Sequence, residues 1–224
     1  MLGPLAHLAL EVKYLDPAAA FYREHLGLAT VEERDRSVVF DVGGPRLVLR
    51  APGDVPRGGL HTHYALASGA YDDWYERLSE SFNLVQHRFG ESRSLYFYDT
   101  EGNCVEIGER GEGSGVTGLF EVVLEVEGLP RAESFYTDLG FEPVDRGSGR
   151  RRVRLTTGDL DLELWEPHLG LADARGGVHV DFGVRADDPG AVADRVREDA
   201  LAVERIEEGV RLRDPDGHYL TLIE

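Results

Sequence analysis

The chain has 224 residues, a formal net charge of −18 and a single cysteine, Cys104. This length allows a substantial core in one or two domains. One cysteine excludes an internal disulfide framework and a cysteine-based zinc site. The acidic excess argues against nucleic acid or an anionic membrane as a partner.

The composition also predicts where the protein works. We find no run of about 18 apolar residues and no basic and apolar leader, so we expect a soluble, cytoplasmic protein that does not bind membranes. Lys13 is the only lysine, and the other basic residues are arginines. Acid excess with almost no lysine is typical of a salt-rich cytoplasm, because salt screens the repulsion between carboxylates. We therefore expect a halophilic protein, with an acidic mesophilic protein as the alternative.

Three residues of metal-ligand type interrupt strand-like runs in the first half of the chain. They are His7, His63 and Glu106. Side chains alternate between the two faces of a strand, and each of these residues lies on the face opposite its apolar neighbours. Two imidazoles and one carboxylate on a shared surface would form a facial triad, which leaves half of a metal's coordination sphere open for substrate.

The second half of the chain repeats the first. The matching segments are 6–12 with 120–126, 20–27 with 134–140, and 99–103 with 214–218. Each half splits again into two parts, each with a strand, a helix and three strands, and the first two helices are predicted at 17–26 and 70–81. The sequence therefore predicts four βαβββ modules, near 1–55, 56–112, 115–172 and 175–224, with a Gly-rich linker at 108–118.

Three segments of the sequence resemble segments found in a known superfamily. They are residues 20–27, 62–65 and 96–106. They are similar to the vicinal oxygen chelate superfamily, which includes glyoxalase I, fosfomycin-resistance transferases, bleomycin-binding proteins and extradiol ring-cleaving dioxygenases. The resemblance covers essentially the whole chain and implies an α+β fold in which paired modules form cup-shaped, barrel-like mixed sheets. It also implies a divalent metal, a small-molecule substrate with vicinal oxygens, and leaves a homodimer open.

The resemblance places His7, His63 and Glu106 at the ligand positions. Two neighbours compete with them. His61 lies on the same strand face as His63, and the resemblance at 62–65 favours His63. Cys104 shares the face of Glu106, but a small buried apolar role is more typical of such a cysteine.

The second half departs from this ligand pattern. By the internal repeat, Glu121, Asp181 and Thr221 stand where the first half has its three candidate ligands. No complete triad remains there. We therefore predict two domains, a metal-bearing domain at 1–112 and a domain with a degenerate ligand set at 115–224.

Members of the superfamily differ in which modules pair, and this leaves a second ligand set open. If module one pairs with four and module two with three, Glu121 comes to His63 and Glu106. Glu163 then falls where glyoxalase I carries another carboxylate ligand. His63 and Glu106 serve under either pairing, whereas His7 and Glu121 are alternatives. Sequence alone does not choose, because every connection between modules is short.

Two further residues bear on the reaction through the resemblance. His87 and Tyr96 lie nineteen and ten residues before Glu106, the spacings at which extradiol dioxygenases carry an acid–base His and a substrate-binding Tyr. We predict that His87 lies in a loop feeding the strand of Tyr96. The favoured interpretation is an extradiol dioxygenase that cleaves a catechol with Fe(II) or Mn(II). A further pocket His of those enzymes is absent, since Val48 stands in its place.

Three other functions stay open. A glyoxalase-like isomerase or lyase would hold Zn(II), Ni(II) or Co(II), with a carboxylate such as Glu121 as base. A fosfomycin-type transferase would use Mn(II), although the segment after His87 contains no lysine. A bleomycin-sequestering protein would bind its ligand without metal, and the presence of His63 and Glu106 argues against it.

Overall fold

The computed structural model describes residues 1–53, 62–147, 152–166 and 180–224. Within these ranges the chain repeats the order strand, helix, three strands four times, as predicted. The helices are α1 Leu15–Glu24, α2 Tyr71–Ser79, α3 Leu129–Leu139 and α4 Pro189–Asp194. The strands of modules one and two are β1 Leu2–Glu11, β2 Thr30–Arg34, β3 Ser37–Asp41, β4 Arg46–Arg50, β5 His63–Ser68, β6 Val85–Phe89, β7 Ser92–Tyr98 and β8 Cys104–Glu109. Those of modules three and four are β9 Gly118–Glu125, β10 Glu142–Arg146, β11 Arg152–Thr156, β12 Asp161–Trp165, β13 Asp181–Ala186, β14 Ala202–Ile206, β15 Gly209–Arg213 and β16 Tyr219–Ile223.

The strands form two mixed eight-stranded sheets, which confirms the predicted α+β class. The first sheet has the order β14-β15-β16-β13-β1-β4-β3-β2, and the second has the order β10-β11-β12-β9-β5-β8-β7-β6. In both sheets the opening strand of a module runs parallel to its last strand, as in β5 and β8 and in β13 and β16. Modules one and four thus share one sheet, and modules two and three share the other.

Contacts divide the chain into two compact units, and within the described residues the divisions fall inside two strands. The C-terminal unit contains Met1–Leu8 and the described residues from Glu121 onward; the N-terminal unit contains the described residues from Ala9 to Phe120. The cuts lie within β1 and β9. Each of these strands therefore belongs to both units.

Alternating apolar residues build the core of the N-terminal unit. In β3, Val38 and Phe40 are buried, and in β4 Leu47 and Leu49 are buried, because every second side chain faces the same way. Helix α1 contacts both strands. Full burial of side chains of this size contributes roughly 1.5–3 kcal/mol each.

A buried polar cluster ties α1 to the strand that opens module two. The Tyr22 hydroxyl donates to Asp99 at 2.6 Å and lies 2.7 Å from the Tyr64 hydroxyl. Asp99 also accepts from the backbone N–H of Asn103 at 2.8 Å, and the Asn103 side chain accepts from the backbone N–H of Thr62 at 3.0 Å. The turn 99–103 thereby fixes the start of β8 beside β5.

The C-terminal unit repeats this device, which supports the internal duplication. The Tyr136 hydroxyl donates to Asp214 at 2.8 Å, and Asp214 accepts from the backbone N–H groups of Asp216 and His218. Helix α3 ends at Gly140, whose φ of 118° is a conformation that favours glycine.

Two local predictions need correction. His87 does not lie in a loop: it belongs to β6, which pairs antiparallel with β7 through a turn at Gly90, where φ is 63°. A charged and polar stretch of this kind reads as a loop, but on an edge strand exposed polar side chains are favourable. The linker is also shorter than predicted, since β8 continues to Glu109. No helix in the described ranges has both the length and the apolar character needed to span a membrane.

Candidate metal centre

The centre begins with His63 and Glu106, which neighbouring parallel strands bring together. Ala65 in β5 lies opposite Glu106 in β8, and His63 lies two residues before Ala65, on the same face. The His63 Nε2 atom lies 3.3 Å from Glu106 Oε2. The competing His61 lies outside the described residues.

Glu106 is buried and ionised. Burial raises the pKa of its carboxyl, but hydrogen bonds from His63, Ser94 and Tyr96 outweigh this effect, so the pKa lies below its ordinary value. Ser94 and Tyr96 are supplied by β7, where Tyr96 lies directly opposite Glu106. The carboxylate is thus held in the charged form that a metal requires.

The aromatic ring of Tyr96 lies between two histidine rings. The ring centroids of His63 and Tyr96 are 5.7 Å apart, and those of His87 and Tyr96 are 5.3 Å apart, both with edge-to-face geometry. His87 is exposed on β6. The N-terminal unit therefore brings together four residues singled out in the sequence, although their roles in a reaction stay predictions.

Glu121 adds a second carboxylate to this pair. It lies on β9, which neighbours β5 in the second sheet. One ligand atom each from His63, Glu106 and Glu121 can be chosen so that all three lie within 4.8 Å of one another. Among the described residues this is the set with the composition and spacing to hold a metal, and His7 is not in it.

The donor set fits a divalent metal. Metal–ligand bonds of about 2.0–2.2 Å place the ligand atoms on one ion roughly 3–4.4 Å apart, so small side-chain rotations would suffice. An imidazole with two carboxylates suits Mn(II), Fe(II), Zn(II) or Ni(II) rather than a metal that needs thiolates. Burial and the charges of Glu106 and Asp99 raise the pKa of Cys104 to about 12, so its thiol stays protonated.

His7 lies in the first sheet, with different neighbours. Its Nε2 atom is 3.8 Å from Asp181 Oδ1, and its ring packs directly over Gly183. In module four, Asp181 occupies the position that His63 occupies in module two. The first sheet therefore contains candidate positions from both halves of the chain, and so does the second sheet. Of the two module pairings left open above, the strand order matches the one that joins module one with four and module two with three.

Glu163 is buried on β12, but it is not in the metal-binding set. Its Oε1 atom accepts hydrogen bonds from Arg154 Nε at 2.9 Å and Nη2 at 2.7 Å, and another from Arg152. Its Oε2 atom accepts from Trp165 Nε1 at 2.8 Å. Arg154 Nη2 also lies 3.2 Å from Glu121 Oε2.

Sequence reasoning missed both arginines. The signal was present, because Arg152 and Arg154 alternate with Val153 and Leu155 along β11, which places both guanidinium groups on one face. A pair of cations on the same face as Glu163 predicts an ion pair rather than a free ligand.

Comparison with known proteins shows what the chain is similar to. The sequence profile of the Glyoxalase/Bleomycin resistance protein/Dioxygenase superfamily matches residues 5–107. Metallothiol transferase FosB of Staphylococcus haemolyticus is 27% identical over 116 residues, which cover 48% of this chain and 84% of that protein.

Two solved structures match nearly the whole chain. A candidate dioxygenase of Bacillus subtilis has a TM-score of 0.74 at 19% identity, covering 98% of this chain and 84% of that one. Glyoxalase I of Zea mays has a TM-score of 0.72 at 18% identity, covering 99% and 92%. At identities this low, the two structures show similarity of fold alone. The sequence thus matches the superfamily profile over residues 5–107, and the four-module fold is similar to that of these two structures over nearly the whole chain.

Proposed function

We propose that the protein is a divalent-metal-dependent isomerase or lyase of the glyoxalase type, acting on a small substrate with two neighbouring oxygens. The observation that carries the proposal is the set His63, Glu106 and Glu121. Two carboxylates and one imidazole suit a Lewis-acidic ion such as Zn(II), Ni(II), Co(II) or Mn(II) at least as well as iron. His7, the second imidazole of the triad that motivated an iron dioxygenase, lies on β1 in the other sheet.

Three protein ligands leave coordination positions for substrate. A bound divalent ion would supply Lewis-acid polarisation of the substrate oxygens. Glu106 fits the role of a permanent ligand, because it is buried and its charge is held by hydrogen bonds from Ser94 and Tyr96. Both donors come from β7, so the carboxylate orientation is fixed before substrate arrives.

Glu121 is the residue we assign to proton transfer. A carboxylate beside the polarised oxygens can take the proton from a carbon next to a carbonyl and return it to the neighbouring carbon. Arg154 lies 3.2 Å from Glu121 Oε2 and holds this carboxylate in place. Glu163 is less suited to the task, since two arginines and Trp165 already occupy its oxygens.

Extradiol ring cleavage is the second candidate, and one observation favours it. The ring of His87 lies 5.3 Å from that of Tyr96, which contacts Glu106. A histidine can move protons near neutral pH, and a tyrosine can hold an ionised substrate oxygen. This pair would provide the acid–base and orienting groups for a catechol if the centre carried iron.

The metal content of the purified chain, followed by two assays, decides between the candidates. The zinc or nickel form should isomerise the thiol adduct of an α-ketoaldehyde, and Glu121→Gln should slow turnover by about 100-fold or more. Asp138→Asn, at an exposed acid on α3, is the matched control. Oxygen consumption with a catechol by the iron form, with no isomerisation by the other forms, would establish the dioxygenase instead.

Protein that binds no divalent metal would reject both enzymes. A small-molecule-binding protein would then be the remaining function, and ligand binding without metal would support it.

A further inference from the structure

Glu163 stands in module three where Glu106 stands in module two. Glu106 lies opposite Ala65 of β5, and Glu163 lies opposite Val123 of β9. His63 precedes Ala65 by two residues, just as Glu121 precedes Val123. By register, Glu163 is therefore a fourth potential metal ligand, and it is as deeply buried as Glu106.

Both oxygens of Glu163 nevertheless accept hydrogen bonds from neighbouring side chains. Arg154 donates to Oε1 from both Nε and Nη2, Arg152 donates to the same oxygen, and Trp165 donates to Oε2. Withdrawing Glu163 from these buried, charged hydrogen bonds is costly, because Arg152 would keep only its bond to Asp145 and Arg154 only its bond to Glu121. A metal ion would have to outcompete these donors to recruit the carboxylate.

Arg154 makes more hydrogen bonds to Glu163 than to Glu121. It makes two hydrogen bonds to Glu163 but a single, longer one to Glu121, at 3.2 Å. Glu121 belongs to the set of residues that could hold a metal, whereas Glu163 does not.

We propose that Arg152 and Arg154 withhold Glu163 from the metal, so that the centre works with three protein ligands instead of four. This inference rests on the proposed metal site. Its consequence is one more open coordination position, and the two guanidinium charges offset two of the three carboxylate charges around the ion. The arginines thus act as positioning residues that set the ligand number of the centre.

Calorimetry of Mn(II) binding tests this assignment on four forms of the full chain: the wild type, Glu163→Gln, Arg154→Met and the double variant. Glu163→Gln should change Kd by less than about threefold, because the residue is not a ligand. Arg154→Met should tighten binding by about tenfold or more, a typical size for outer-shell effects on metal affinity. The double variant should lose that gain.

Each variant is first checked for folding by its thermal midpoint, and Arg152→Met repeats the test if Arg154→Met does not fold. Arg146→Met is the matched control and should leave Kd unchanged. Arg146 is an exposed arginine of the neighbouring strand β10 and pairs with Glu133 of α3. Relaxation of water protons by bound Mn(II) gives a second readout, since a fourth protein ligand displaces one water.

Two results would overturn the inference while leaving the metal site intact. Weakening of tenfold or more by Glu163→Gln alone would mean that Glu163 is already a ligand. Tightening that persists in the double variant would mean that Arg154 acts only on Glu121. If the wild type binds no metal, the proposed function fails, and the inference fails with it.

Discussion

Tyr96 lies directly opposite Glu106 on the antiparallel strands β7 and β8, and its side chain hydrogen-bonds the Glu106 carboxylate. The same tyrosine contacts the rings of His63 and His87. It therefore connects a ligand of the proposed metal to an exposed histidine at the sheet edge. Both enzyme functions considered above use this contact, so it does not by itself distinguish them.

The first prediction concerns the ligands of the metal. His63→Ala, Glu106→Ala and Glu121→Ala should each abolish stoichiometric divalent metal binding, because each removes one of three protein ligands. His7→Ala should keep full metal content, since His7 lies in the other sheet beside Asp181. Metal content is measured by mass spectrometry after dialysis.

His7→Ala is also the matched control, as it removes an imidazole from an opening strand without touching the proposed site. Full metal retention by both His63→Ala and Glu106→Ala would reject the site. Loss of metal in His7→Ala, with retention in Glu121→Ala, would restore the triad that the first half of the sequence suggested.

The second prediction follows from the ionisation of Glu106. Its folded-state pKa lies below the ordinary 4.5, so the folded state binds this proton less readily than the unfolded chain. The stability it contributes is fully present above about pH 4.5 and is lost as the pH falls through the folded-state pKa. In metal-free protein, Glu106→Gln should therefore flatten the acid side of the curve of unfolding free energy against pH.

Urea unfolding at a series of acidic pH values measures this curve. Glu142→Gln, at an exposed acid on β10, should keep the slope of the wild type. An unchanged slope in Glu106→Gln would show that its hydrogen bonds with His63, Ser94 and Tyr96 do not hold the carboxylate charged.

Most of the fold could be predicted from the sequence because the second half of the chain repeats the sequence pattern of the first. The repeated turns at Asp99 and Asp214 perform the same hydrogen bonding in each half, and alternating apolar residues mark the strands. His87 was misplaced because β6 is an exposed edge strand, whose side chains show no burial pattern. Periodicity detects strands through burial, so an exposed strand escapes it.

The site could be predicted only in part, for a different physical reason. His63 and Glu106 are joined within one module by the parallel pair β5 and β8, which is a local relationship. Whether His7 or Glu121 completes the set depends on which modules share a sheet, and the short connections allow either. The roles of Arg154 and Glu163 depend on the same choice.

The third prediction concerns the close packing of His7 on Gly183. A Cβ atom at position 183 would lie 2.4 Å from His7 Cε1 and 3.0 Å from the side chain of Ile223. Gly183→Ala should therefore destabilise the protein by about 1–3 kcal/mol, the usual cost of overpacking. Urea unfolding measures the change, and adding His7→Ala should recover most of it.

Gly115→Ala is the control for this experiment, because a Cβ atom there meets open space. An additive loss in the double variant would show that the strain does not come from the His7 ring. Such a result would place the conflict at Ile223 instead.

The last prediction concerns salt. The chain carries 42 acidic and 24 basic residues, and its exposed charges repel one another over about 10 Å in 0.1 M salt but only about 3 Å in 1 M salt. The thermal midpoint should therefore rise steadily from dilute buffer to molar KCl. A variant in which four exposed acids are made neutral, Glu76→Gln, Glu80→Gln, Asp138→Asn and Glu142→Gln, should show a higher midpoint in dilute buffer and a smaller rise. A midpoint that stays flat or falls with KCl in the wild type would mean that the acidic composition is not an adaptation to salt.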